Sequence, residues 1–347
     1  MMDDSLLPLT KFDIGKPLKA SNDVLPLNHP DIPYPRGMVS SPKIDGNRGM
    51  AICGRLLSSS GKEPRNERFH RRFAALRGFV AKYDIMLDYE VYAPSLAHHA
   101  ELSGVLNSYD QPLPDDLALY VFDGCFRNQY LNQCQDTPFR QRIDMYHSFV
   151  VALDDPSVRA VTQRRVCDAQ HASDLFNQDI ANGLEGSMLR ALDIWAGQRG
   201  PCGGWYKHGR ATNKQGIIYK AKLYATHDGR ITEVVQRREL KPDYPRERNE
   251  FGDLKGTYPN DAYTLIEEAG AFRVEYDDPK TGQTQSCLLG WGKGFPRLDR
   301  VGFWRERDNL LGKWVEFSHM PHGAASGGKA RHGRLIRFRE DLEGQSQ

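Results

Sequence analysis

The chain has 347 residues, enough for two domains that each bury a core, and its 47 Lys and Arg nearly balance 45 Asp and Glu, for a net charge of +2. That balance excludes a uniformly basic coat, so a chain that binds a polyanion with it must gather its positive charge on one face. No apolar run approaches the ~20 residues of a membrane-crossing helix, and the N-terminus lacks a secretion-signal pattern; a cytoplasmic, non-membrane protein is expected.

Residues 1–36 are rich in Pro, Asp and Lys and read as an extended lead-in. Strands are predicted through Gly37–Val39 and Arg48–Cys53. Between them lies Lys43-Ile44-Asp45-Gly46-Asn47-Arg48, preceded by the small or extended Ser40-Ser41-Pro42. Taken alone, Asp45-Gly46 is an ordinary turn dipeptide. Asn66 fits an N-cap for a helix whose Phe69, Phe73 and Leu76 share one face. Met86–Tyr92, which carries Glu90, and Leu117–Asp123, which carries Phe122, are apolar, β-branched runs that predict strands. Thr137-Pro138 opens a helix with Pro at its first position, and Ser173–Asn182 predicts another, ended by Gly183. Leu184-Glu185-Gly186-Ser187-Met188-Leu189-Arg190 and Ile217-Ile218-Tyr219-Lys220-Ala221-Lys222 follow. On a strand Lys220 and Lys222 point to one face, where two ammonium groups repel and an anionic partner offsets the cost.

Past Thr226-His227-Asp228-Gly229 the pattern changes. Ile231–Gln236, Phe272–Tyr276, Gln285–Leu289 and Trp314–Phe317 carry β-formers between Gly and Asp turns and predict a small β-barrel. Pro242–Pro259 reads as a long surface loop. From Trp291 to Leu342 there are eleven Lys or Arg against six Asp or Glu, a basic surplus that includes Arg331, Arg334, Arg337 and Arg339. The Gly-rich run Gly323–Gly328 stands just before these arginines and would let them move. The cysteines Cys53, Cys125, Cys134, Cys167, Cys202 and Cys287 are scattered without a C-x-x-C pair, which argues against a zinc site or disulfide framework and for small buried side chains.

Lys43–Arg48 reads K-x-D-G-x-R and resembles the nucleotidyl-lysine motif of the covalent nucleotidyltransferases: DNA ligases, RNA ligases and capping enzymes. Glu90, Phe122-Asp123, Glu185–Arg190, Lys220–Lys222 and Arg331–Asp341 resemble the family's further motifs in the family's order. With Leu102-Ser103-Gly104-Val105-Leu106 and Gly312–Phe317, the chain resembles the short ATP-dependent DNA ligases of the bacteriophage type. The resemblance implies an α+β fold: a nucleotidyltransferase (adenylation) domain over 37–225, with antiparallel sheets and helices, then a small OB-fold β-barrel over 226–347. It implies that Lys43 attacks the α-phosphate of ATP, which needs a neutral amine; burial or a nearby cation lowers a lysine pKa. Asp45, Gly46 and Arg48 would complete the nucleotide site, Arg48 on ribose or phosphate oxygens. Glu90 would lie near the ribose and metal, Phe122 on the adenine, Glu185 on the metal, and Lys220 and Lys222 on the α-phosphate.

The implied reaction moves AMP from ATP to Lys43, then to a 5′-phosphate at a nick in duplex DNA, and ends when the 3′-hydroxyl expels it. ATP and Mg²⁺, with Mn²⁺ as a substitute, are the implied cofactors, and a monomer is expected. Three departures stand out. Ser59 occupies a position where such ligases commonly carry an arginine that contacts the nick phosphate, which could shift that role to Lys62 or Arg65. Asp88-Tyr89-Glu90 stands for the usual D-G-E, and Leu342 follows Asp341 where a lysine is common. An RNA ligase or another covalent nucleotidyltransferase, and a non-catalytic nucleic-acid-binding protein, remain as alternatives.

Overall fold

The computed structural model describes residues 14–96, 99–249, 254–278, 282–292, 294–320 and 330–342. The chain divides into two units, Met1–Lys222 with Arg248–Asp253, and Leu223–Glu247 with Leu254–Gln347. Among the described residues no helix is long and apolar enough to cross a membrane.

In the first unit the chain runs through β1 (Met38–Lys43), β2 (Asn47–Ile52), β3 (Arg55–Ser58), α1 (Glu67–Arg72), α2 (Ala74–Lys82), β4 (Ile85–Tyr92), α3 (His99–Asn107) and β5 (Ala118–Phe126). It continues through α4 (Arg127–Leu131), α5 (Phe139–Leu153), β6 (Val158–Ala160), β7 (Arg164–Val166), α6 (Ala169–Ala181), β8 (Gly186–Ala191), the hairpin β9 (Ile194–Gly197) and β10 (Gly200–Gly203), and β11 (Ile218–Lys222). One sheet has the order β3-β2-β4-β5-β6 and the other β11-β8-β1-β7.

Strand alternation in β4 sorts its side chains. Leu87, Tyr89 and Val91 pack into a core with Phe69, Phe73 and Leu76. Met86 faces the other way, into a second core with Met50, Ile52, Leu57 and Tyr206, and Asp88 and Glu90 share its face by the period of two. Tyr89, which departs from the glycine of the resembling motif, lies opposite Gly49 of β2. A Cβ at Gly49 would come within 2.4 Å of the Tyr89 ring, so the missing side chain makes room for the large one.

Asn66 caps α1 as expected, its Oδ1 accepting from the Arg68 and Phe69 amides at 2.9 and 3.3 Å. Helix α6 begins at Ala169, ahead of the predicted Ser173, because Asp168 accepts from the His171 amide at 2.8 Å. Pro138 sits at the N-cap of α5, one position before the expected one. Strand β1 continues to Lys43 instead of stopping at Val39. Pro42 pairs only with β8, since β7 ends its pairing at Ser40, so no ladder partner is lost on that side. Residues 14–36 are more than a lead-in: Ile14, Leu18 and Ile32 are buried, and Lys19 exchanges backbone hydrogen bonds with Gly209 and Ala211 at 2.8 and 2.7 Å. Cys125 and Cys134 are buried with sulfurs 3.4 Å apart, and Cys287 is buried, but Cys167 is exposed and Cys53 and Cys202 are half-buried, so burial does not account for all six.

A buried ionic group ties β5, α5 and β8 together. Asp123 accepts from Arg142 Nε at 2.9 Å and from an Arg190 terminal nitrogen at 2.6 Å, while Arg142 also donates to the Thr137 and Gly204 carbonyls at 2.6 and 2.7 Å. Burial alone would raise the Asp123 pKa; the two guanidinium groups outweigh it and hold the carboxyl below its ordinary range.

The second unit contains β12 (Ala225–Leu240), β13 (Tyr263–Asp277), β14 (Thr284–Gly290), α7 (Arg297–Arg305), α8 (Arg307–Leu310), β15 (Trp314–Met320) and β16 (Arg331–Phe338). The strands close into a barrel in the order β12-β13-β14-β16-β15 around Ile231, Phe272, Leu289, Val315, Phe317 and Leu335. Each predicted strand is part of a longer one. β12 breaks register with β13 between Ile231 and Glu233 and again on either side of Gln236, and such bulges let a long strand bend around a barrel. The 242–259 segment joins β12 to β13 as a loop, of which 250–253 lies outside the described residues, as does the Gly323–Gly328 run.

Replacing Asp123 with Ala leaves two buried guanidinium groups without their carboxylate. The expected cost is about 3–5 kcal/mol in denaturant unfolding of the first unit; a loss below about 1 kcal/mol would refute this account of the group.

Candidate active site

A cavity of about 360 Å³ in the first unit is lined by Lys43, Arg48, Glu90, Phe122, Lys220 and Lys222, together with Leu18–Ala20, Asp88, Gln163, Met188, Arg190 and Arg210. Six residues singled out from the sequence thus meet in one place, although they come from β1, β2, β4, β5 and β11.

The meeting is set by register. Lys43 ends β1, Lys222 ends β11, and both pair with Gly186, the first residue of β8 between them. Glu185 precedes Gly186; its amide donates to the Lys43 carbonyl at 3.2 Å, and its two carboxylate oxygens each take one ammonium group, Lys43 on Oε2 and Lys222 on Oε1. Gly186 has φ +150°, and a Cβ there would stand 2.1 Å from the Ala221 carbonyl oxygen, so no side chain fits between the two lysine strands.

Arg48 donates from Nε to Asp88 Oδ1 at 2.9 Å, and its guanidinium carbon lies 5.2 Å from the Phe122 ring centroid. Asp88 is fully buried and also accepts from the Tyr206 hydroxyl at 2.6 Å. Phe122 is the bulged residue of β5: pairing steps from Asp88–Asp123 to Tyr89–Val121 and skips it. A bulge re-aims its side chain, here into the cavity. Burial pushes the Glu90 carboxyl up to about 8, against the pull of Lys43 and Arg48. Burial also lowers the Lys220 pKa, helped by the charges of Lys222, Arg210 and Lys43.

Asp45 and Gly46 lie in the turn between β1 and β2 and are not among the residues that line the cavity. A Cβ at Gly46 would be 2.2 Å from the Val91 carbonyl oxygen and 2.8 Å from Glu90 Cγ, so in this structure the glycine serves close packing of the turn on β4. Lys62 and Arg65 are exposed and outside the cavity. Arg331, Arg334, Arg337 and Arg339 belong to the second unit. There Arg337 pairs with Glu316 at 2.6 Å, and Arg339 pairs with Asp228 at 2.6 Å and with Asp341 at 2.8 Å. Sequence reasoning noted Asp88 in its motif without giving it a role, and missed Lys19 and Arg210. Asp88 was detectable, two residues before Glu90 and so on the same strand face; nothing local marks Lys19 or Arg210.

Among the described residues no cluster of three or more His, Cys, Asp or Glu forms a metal cage. Glu90 and Glu185 fit a hard cation only in the way Mg²⁺ is commonly held, by one or two carboxylates with phosphate oxygens supplying the rest.

The Glu90 shift has a pH consequence. Its folded pKa of about 8 lies above the ordinary glutamate value of 4.5, so between these values the folded state holds a proton that the unfolded state has lost. Stability falls as pH rises through that window and is level above it. Glu90→Gln should remove this fall and be more stable than the parent at alkaline pH, as read from denaturant midpoints on either side of the window; an unchanged pH dependence would contradict the assignment.

Neither a protein-family model nor a curated protein matches the chain. Among solved structures, one described as Pmar-Lig_PreS3 is 20% identical with a TM-score of 0.66, over 93% of this chain and 67% of its own. Another, Pmar-Lig_Pre., is 20% identical with a TM-score of 0.65, over 88% of this chain; the chain spans only 64% of its length. A structure from a structure-function analysis of Lig E DNA ligases, described as DNA binding with a minimal scaffold, is 17% identical with a TM-score of 0.58, over 94% of this chain and 100% of its own. At these identities the likeness is one of fold: the chain is built on the α+β architecture of these DNA ligase structures.

Proposed function

We propose that the chain is an ATP-dependent DNA ligase that seals nicks in duplex DNA through a lysyl-AMP intermediate. The observation that carries this reading is the Lys43–Glu185–Lys222 junction, whose two lysines line a cavity that also presents Arg48, Phe122 and Lys220. In this reading the Lys43 ammonium leaves Glu185 and loses a proton to solvent, and the neutral nitrogen bonds to the α-phosphorus of ATP as the bond to pyrophosphate breaks. Lys220 and Lys222 neutralise charge that builds on the α-phosphate oxygens, as pre-placed cations do in phosphoryl transfer. Phe122 offers its free face to the adenine. Arg48, fixed by Asp88, reaches ribose or phosphate oxygens. Asp45 and Gly46 shape the turn that carries Lys43 toward Arg48. Mg²⁺, or Mn²⁺ in its place, would be held by Glu185 and Glu90 and would supply charge neutralisation on the phosphates.

Lys62 and Arg65 in the first unit, and Arg331, Arg334, Arg337 and Arg339 in the second, are proposed to contact the DNA backbone, since sealing must ignore sequence. Arg337 and Arg339 would exchange their carboxylate partners for phosphate, and affinity should fall steeply with salt.

The test is incubation with α-labelled ATP and Mg²⁺, followed by denaturing electrophoresis, with α-labelled GTP as the control for a capping-type enzyme. A covalent label from ATP is expected, together with sealing of a nicked duplex. Lys43→Ala should abolish both, and a surviving adduct would mean another residue is the nucleophile. Lys222→Ala and Glu185→Ala should each slow AMP transfer about tenfold or more, equivalent to about 1.4 kcal/mol of barrier. Wild-type rates in both would count against the junction, and partial rescue of Glu185→Ala by excess Mg²⁺ is the expected mark of a metal role.

A further inference from the structure

Arg48 holds Asp88 through two hydrogen bonds, from Nε to Oδ1 at 2.9 Å and from a terminal nitrogen to Oδ2. Such a fork keeps guanidinium and carboxylate in one plane. It does not fix that plane, because the last torsion of an Asp side chain is soft and the pair can tilt as a unit. The Tyr206 hydroxyl supplies a third bond, to Oδ2 at 2.6 Å. Its direction is set from the other side: the Leu18 amide donates to the same hydroxyl oxygen at 3.1 Å, which leaves the hydroxyl proton to Asp88. Burial, and after it the Asp88 charge, pushes the Tyr206 pKa well above its ordinary value, so the proton stays in place.

Tyr206 is itself held on several sides. It is fully buried, its amide donates to the Gln133 carbonyl at 2.9 Å, and its ring stands edge-on to Tyr130 with centroids 5.1 Å apart. The Arg142 guanidinium carbon lies 5.7 Å from its ring centroid. Tyr206 is not among the residues that line the cavity, whereas Leu18, Asp88 and Arg48 are. What the hydroxyl passes on to the cavity is therefore the plane of Arg48, whose guanidinium carbon lies 5.2 Å from the Phe122 ring centroid. An arginine that must find its plane when a ligand arrives loses side-chain freedom at that moment, and one already held does not.

We propose that Tyr206 is a positioning residue for the nucleotide: through Asp88 it holds the Arg48 guanidinium in the plane that receives ribose or phosphate oxygens, an inference that rests on the ligase reading. Phenylalanine at 206 would fill the same space in the core and leave Arg48 paired with Asp88, but the pair could tilt. The loss then falls on nucleotide affinity and not on the rate of the bond change at phosphorus.

A double-mutant cycle on the full chain tests this. Binding of α,β-methylene-ATP, whose bridging carbon prevents displacement at the α-phosphorus, is measured for the parent, Tyr206→Phe, Arg48→Ala and the double variant. Tyr206→Phe should weaken binding about tenfold in the parent, equivalent to about 1.4 kcal/mol, and by less than about twofold where Arg48 is already alanine. An equal loss in both backgrounds would place the effect of the hydroxyl elsewhere, and either single variant binding as the parent does would remove the link; each result overturns the proposal. The second measurement is lysyl-AMP formation against ATP concentration. In Tyr206→Phe the KM for ATP should rise about tenfold while the limiting rate stays within about threefold of the parent. A tenfold fall in the limiting rate at unchanged KM would overturn the proposal, as would a lowered unfolding midpoint at unchanged KM, the mark of a merely structural hydroxyl. If Tyr206→Phe does not fold, 4-fluorophenylalanine incorporated at 206, which fills the hydroxyl's place without a proton to donate, should show the same loss of binding, and undiminished binding would overturn the proposal. Absence of lysyl-AMP in the parent would instead remove the ligase reading, and the binding cycle, which needs no transfer, would still judge Tyr206.

Discussion

One register holds the candidate site together. Gly186 pairs with Lys43 on one side and Lys222 on the other, and Glu185 before it spans both ammonium groups. The two lysines are far apart in the chain, so nothing local brings them together; only the β1–β8–β11 ladder does. A slip by one residue in either pairing would send a lysine to the opposite face of the sheet, because side chains alternate with a period of two. Gly186 guards against such a slip: a Cβ there would meet the Ala221 carbonyl. The rest of the cavity is arranged around this fixed point.

Support for that register comes from inside. The Asp123 group joins the sheet that carries β5 to the sheet that carries β8, since Arg190 of β8 and Arg142 of α5 share the one carboxylate. Replacing such a group with apolar side chains is often neutral in stability. Its value here is positional: it fixes β8 against β5, and so fixes Glu185 and Gly186 relative to the bulge that turns Phe122 into the cavity.

Much of this was legible in the sequence, and the physical reasons differ from residue to residue. Lys220 and Lys222 could be placed on one face because alternation is a property of any strand. The Asn66 cap was legible because capping is local. Glu185 was found through a motif, but its carboxylate bridge between two lysines depends on sheet order, which no local pattern encodes. Lys19 and Arg210 were not legible at all: their backbones meet through a bridge between the start of the chain and the segment before β11. Strand lengths were underestimated in the barrel, because bulged strands such as β12 lose the clean alternation by which strands are recognised. Exposed Cys167 and half-buried Cys53 and Cys202 were misjudged for a plainer reason: burial is a tendency of that side chain and no requirement.

The Gly49–Tyr89 contact limits the order in which this chain can change. Two neighbouring positions share one side-chain volume, nearly all of it now held by Tyr89. A descendant that acquired alanine at 49 first would pass through a clash at the centre of the five-stranded sheet. One that first lost the tyrosine would pass through a void, a milder defect that a later side chain at 49 could fill. The two positions should therefore drift as a pair, with shrinkage at 89 preceding growth at 49, and the flanking Asp88 and Glu90 would keep their place in the cavity throughout.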